Sequence, residues 1–133
     1  MTSIILIAVG GLVTMTGSAR PWLSMFAGLK QYSGLLGLNG WLVLAIGLIL
    51  ALTPYMERRG IRTAPLAIIL SLGAMLVVAY AGSGLLAITA NAGNALMVPK
   101  VGPGLPVALA GCFMSLAAAI VAQRHARTTN TAN

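Results

Sequence analysis

The chain has 133 residues, of which 59% are hydrophobic and 7% charged, against roughly a quarter charged in a soluble domain; its mean hydropathy is +0.96. The net charge of +7 rests on eight Lys/Arg and one acid, Glu57, with no basic stripe interleaved with aromatics to follow a phosphate backbone, so a nucleic-acid partner is excluded. The solvent implied is a lipid bilayer, because the apolar residues fall into runs long enough for spanning helices.

The first run, residues 3–19, has the small residues Gly17, Ser18 and Ala19 at its end and so imitates a signal peptide. Its start, Met1-Thr2-Ser3, lacks the basic residues of such a peptide, which favours an uncleaved first span. The next segment, RPWLSMFAGLKQYSGLLGLNG, places Trp22, Phe26 and Leu29 at i, i+4 and i+7 behind Pro21. That spacing fits a short helix lying in the membrane interface, and an ordered loop that rests its aromatics there fits equally well. In either case Trp22, Trp41 and Tyr32 are the expected interface anchors.

A second span is expected over residues 35–56, with Pro54 in its last turn, where few backbone hydrogen bonds remain to be lost. MERRGIRT then makes a cationic turn with Gly60 as the helix stop. A third span covers 65–88, a Gly-, Asn- and Pro-rich loop follows over 89–104, and a fourth span covers 105–122 before a short polar tail expected to fray. The fold expected is an all-α integral membrane four-helix bundle formed by the whole chain as one membrane domain. With four spans, Arg58, Arg59, Arg62, Arg124 and Arg127 share one side, and Arg20, Lys30 and Lys100 the other. This bias places the N- and C-termini in the cytoplasm.

None of the expected spans contains Asp, Glu, Lys, Arg or His. An ionisable group within the bilayer is the usual mark of a proton- or ion-coupled site, and its absence removes the carboxylate-driven exchange of small four-helix multidrug transporters. The single Cys112 rules out a paired-thiol redox centre, and the single His125 sits in the tail rather than in a span where it would ligate haem. No catalytic residue, cofactor or metal site is therefore assigned. Tyr80, Gly82, Ser83 and Gly84 form a polar, flexible patch toward the outer half of the third span; a ligand crevice or a helix break would fit there, and the favoured expectation is that Tyr80 and Ser83 find backbone partners within the bundle while the glycines ease packing.

Small residues recur at helix-packing spacing: Gly111, Ser115 and Ala119 in the fourth span, Gly47 and Ala51 in the second, Gly10 and Thr14 in the first. Such faces let helix backbones approach where lipid is as apolar as leucine, and they are expected to meet inside one monomer rather than between copies.

At PWLSM, SGLLGLNGWLVLAIGLILAL and VGPGLPVALAGC the chain resembles a class of small four-span membrane proteins of high-GC bacteria. In that class a Pro-Trp follows the first span, a Gly-Trp opens the second and a Gly-Pro-Gly opens the fourth. The resemblance implies the four-span topology, with no defined activity and no site residue; the location expected for such a chain is the cell inner (plasma) membrane. The function expected is that of a non-enzymatic accessory or assembly subunit, working through helix and loop contacts with other membrane subunits or by self-association. Two alternatives stand beside it: a phage-type holin or exclusion protein, and a small channel or transporter lined by Thr14, Thr16, Ser71 or Ser83.

Overall fold

The computed structural model describes residues 2–25, 30–91 and 100–130. It contains α1 (Thr2–Ala19), β1 (Pro21–Met25), β2 (Lys30–Ser33), a 3-10 turn (Gly34–Leu36), α2 (Leu38–Ala51), α3 (Thr53–Arg58), α4 (Ala64–Ala90), β3 (Lys100–Val101) and α5 (Gly104–Asn130). Among the described residues, four helical segments are long and apolar enough to cross a membrane: Thr2–Ala19, Leu38–Arg58, Ala64–Ala90 and Gly104–Thr129.

Local chemistry sets the boundaries. α1 stops just ahead of Pro21, whose ring disfavours helical backbone in the residue before it. The second span starts later than its apolar run because Ser33 accepts the Leu35 N–H at 3.0 Å and starts a 3-10 turn instead. That span also has a joint at Leu52, where α2 gives way to α3 with Pro54 in its first turn. A proline there lacks only an N–H that the helix start leaves unpaired. The turn after α3 closes with a Schellman arrangement: Gly60 takes φ +81, Ile61 N–H donates to Met56 O, and Gly60 N–H donates to Glu57 O.

The tail differs from the sequence expectation. α5 runs to Asn130 rather than fraying after Ala122. Gln123–Arg127 contains no glycine or proline to stop the helix, and the Thr128 and Thr129 hydroxyls return to carbonyls three and four residues back.

The segment after α1 is a second correction. Over the described residues 21–25 and 30–33 the chain is strand rather than interfacial helix; β1 pairs antiparallel with β2 on one edge and with β3 on the other, in the order β2-β1-β3. The decisive partner, β3, follows α4 and is invisible to local periodicity. Of the residues that suggested a helical face, Phe26 and Leu29 lie outside the described residues. The β1–β2 register shifts between Pro21 and Leu23, and a bulge of this kind re-aims the extra side chain, here that of Trp22.

α1 packs along α5 and α2, and α4 packs along α5 and, less extensively, α2. Buried side chains gather near one end as Ile7, Leu50, Ala67, Ala118 and Ala119, and near the other as Trp22, Val43, Val78 and Ala108. Leu12, Leu42, Ile69, Leu76 and Phe113 all point outward. Small residues thus bring the helices together around these few larger core side chains, and large apolar side chains cover the exterior.

Candidate functional site

The small faces read from the sequence converge on α1. On the α5 side, Gly10, Thr14, Gly111 and Ser115 interlock. A Cβ on Gly10 would fall on the Ser115 hydroxyl, and one on Gly111 would stand 2.5 Å from the Thr14 N. On the α2 side, a Cβ on Gly11 would stand 2.6 Å from the Ala51 N, and one on Gly47 2.8 Å from the Met15 side chain. Ala119 is fully buried beside Ile7 at the far end of the same seam. All five packing candidates therefore lie on contacts inside one chain. Gly11 and Gly17 complete the two seams and were missed in the sequence; the signal was there, since Gly17 follows Gly10 by seven residues on one helical face.

The seam's polar groups are satisfied within it. Ser115 donates to Ile7 O at 3.1 Å across the helix pair, Thr14 donates to Gly10 O at 2.9 Å along its own helix, and the Thr14 oxygen lies 3.7 Å from the Cys112 sulfur. Cys112 is fully buried there, a small packing residue between two helices. Outside the seam, on α4, the buried Ser71 hydroxyl has no hydrogen-bond partner among the described residues.

The expected interface anchors divide. Trp41 is 58% exposed at the start of α2 and Tyr32 is half-buried in β2, both at the sheet end. Trp22 is a correction: it is only 6% exposed, and its indole Nε1 donates to Gly17 O at 3.0 Å. The bulge turns the ring down between Gly34 and Gly104, so it plugs the bundle instead of facing headgroups. Its carbonyl in turn accepts the Gly102 N–H at 2.8 Å, tying β1 to the entry of α5.

Of the patch, Tyr80, Ser83 and Gly84 line an open cleft of about 550 Å³ between the end of α4 and the sheet, with Trp22, Tyr32, Leu85 and Ile88 in its walls, whereas Gly82 is buried against Leu105. Ser83 donates to Tyr80 O at 2.8 Å. The Tyr80 ring is 76% exposed and does not turn into the bundle for the partner that the sequence suggested. At the opposite end, Glu57 is exposed and accepts the Thr63 hydroxyl, and the His125 ring turns back to Val121 O at 2.9 Å on its own helix.

This arrangement locks helices together and displays a small sheet at one end. Comparison of the chain with known protein families, with curated proteins and with solved structures finds no match.

Proposed function

We propose that the chain is a multi-pass protein of the bacterial inner (plasma) membrane, with both termini cytoplasmic, that serves as a non-enzymatic accessory or assembly subunit. The observation behind this reading is the division between its two surfaces. Gly10 and Gly111 bring backbones together in the interior, while Leu12, Leu42, Ile69, Leu76 and Phe113 face outward on every spanning helix. In water such a surface would drive aggregation; in lipid it is neutral and open to partner helices. The orientation is supported by the five arginines at the end opposite the sheet, against Arg20, Lys30 and Lys100 at the sheet end.

The channel reading has less support, because its four hydroxyls do not share a path. Thr14 and Ser71 are buried, whereas Thr16 and Ser83 are exposed and bonded to carbonyls of their own helices. The holin reading needs only apolar spans and a cationic tail, of which Gln123–Arg127, a helical continuation of α5, is a short version.

Two measurements test the proposal. Purification of the full chain from its native membrane in mild detergent is expected to bring down a partner subunit in fixed stoichiometry. The purified chain in liposomes with an imposed pH gradient is expected to show neither gradient-driven uptake nor dye release. Uptake lost in both Glu57→Gln and Tyr80→Phe would replace the accessory reading with a transporter, and release of large dyes would replace it with a holin.

A further inference from the structure

The cleft of about 550 Å³ at the sheet end lies between β1, β2, the start of α2 and the last turns of α4. That volume falls within the roughly 300–1,000 Å³ of small-molecule clefts. Two of its lining residues, Gly37 and Gly84, are glycines at which an added Cβ meets nothing within 4 Å. Each is a position where any larger side chain would take up open space.

The lining chemistry narrows the ligand. Among the described residues no Lys, Arg, Asp, Glu or His lines the cleft, so a charged head would lose water there without gaining a counter-charge. The hydrogen-bonding groups are neutral and of both kinds. Ser33 accepts the Leu35 N–H and keeps its hydroxyl hydrogen to donate. Ser83 gives its hydrogen to Tyr80 O and keeps lone pairs to accept. The Asn39 amide and the Tyr80 phenol line the cleft too, and each can donate and accept. A ligand of carbonyls only accepts, and would leave the Ser83 oxygen without a donor. Hydroxyls do both. Several hydroxyls on one ring therefore match this set, and the Tyr80 ring, 76% exposed, adds an apolar face beside its phenol.

The surroundings favour a ligand with an apolar anchor. Ile88 lines the cleft at 54% exposure, and Leu86, two residues before it on α4, is 61% exposed. A free sugar leaves these side chains bare, whereas a sugar carried on acyl chains covers them.

We propose that this cleft binds the uncharged sugar head of a glycolipid. Ser33, Asn39, Tyr80 and Ser83 bond its hydroxyls, and the acyl chains lie along the outward face of α4. The proposal rests on the helices spanning a bilayer, though neither on which way round they span it nor on the accessory role.

The test uses the full chain in polyoxyethylene-ether micelles, which contain no sugar. Monoglucosyl diacylglycerol, diacylglycerol and phosphatidylcholine compete, and the retained lipid is counted by native mass spectrometry. The wild type is expected to retain the glucosyl lipid over both others. The preference is expected to fall about fivefold in Tyr80→Phe and in Asn39→Ala, the loss of one hydrogen bond each. Gly84→Leu, which fills open space at a lining position, is expected to abolish it, and Gly73→Leu, equally open on the same helix but outside the cleft, to keep it. Free glucose at millimolar concentration should not displace the lipid. Equal retention of the three lipids by the wild type, or an unchanged preference in a folded Gly84→Leu, overturns the proposal; displacement by glucose overturns the lipid source in favour of a soluble sugar. Failure of the membrane reading itself would show separately, as a chain that does not float with phosphatidylcholine liposomes.

Discussion

Gly111→Leu is expected to pull α5 away from α1 and to unfold the bundle in mild detergent, at a cost of about 3 kcal/mol or more, the upper part of the range for overpacked interiors. A Cβ at this position already stands 2.5 Å from the Thr14 N and 2.7 Å from the Gly10 O, both backbone atoms of the facing helix. A backbone wall cannot rotate aside as a flexible side chain can, so the helices themselves must separate. The seam's cross-helix bond from Ser115 to Ile7 O would open with them. Gly73→Leu is the matched control. It makes the same chemical change on α4, where an added Cβ has nothing within 4 Å, and it removes a helix glycine that costs about 1 kcal/mol relative to alanine. Thermal stability of the two variants side by side gives the answer. A Gly111→Leu protein as stable as Gly73→Leu would show that α1 and α5 are not in contact at this point.

Trp22→Ala is the second large effect, with an expected loss of about 3–5 kcal/mol, the range for truncating a buried aromatic. The ring closes the sheet end of the core with Val43, Val78 and Ala108. In the proposed four-span arrangement that end meets water, so the removed area counts as exposure to water rather than to lipid. The truncation also leaves Gly17 O without the indole that donates to it at 3.0 Å. Trp22→Phe separates the two contributions, since it keeps most of the apolar volume and loses only the hydrogen bond, a change of about 1 kcal/mol. Stability measured for both variants should rank wild type, Phe and Ala in that order. Equal stability of Trp22→Ala and wild type would return Trp22 to the exposed anchor role that its sequence position suggested.

The sequence made the long-run features legible and hid the long-range ones. The spans announce themselves because each apolar run is locally complete: the helix satisfies its own backbone, and Gly60 and Pro65 mark the turn between the second and third. Gly47/Ala51 and Gly111/Ser115 were visible as spacings, but nothing local says that both faces meet α1, since the matching surfaces are Gly10 and Gly11 on two sides of one helix. The sheet was hidden for the same reason. Leu23 and Ser24 pair with Val101 and Lys100 across the whole of α2 to α4. The helical spacing of Trp22, Phe26 and Leu29 carried no information about that partner. The helical tail was out of reach too, because α5 continues beyond its apolar run, where only helix propensity and threonine back-bonding sustain it.

The central claim is that four helices cross the membrane with the sheet outside and both termini within, and cysteine accessibility in intact cells tests it most directly. In a Cys112→Ala background, single cysteines are placed at Gln31 in β2, at Ile61 in the α3–α4 turn and at Thr129 near the end of α5, three exposed positions at opposite ends of the bundle. An impermeant maleimide is predicted to label Gln31→Cys in intact cells, and to label Ile61→Cys and Thr129→Cys only after the membrane is permeabilised. Labelling of Ile61→Cys and Thr129→Cys in intact cells with Gln31→Cys silent would invert the orientation, and labelling of all three would contradict the four-span account itself.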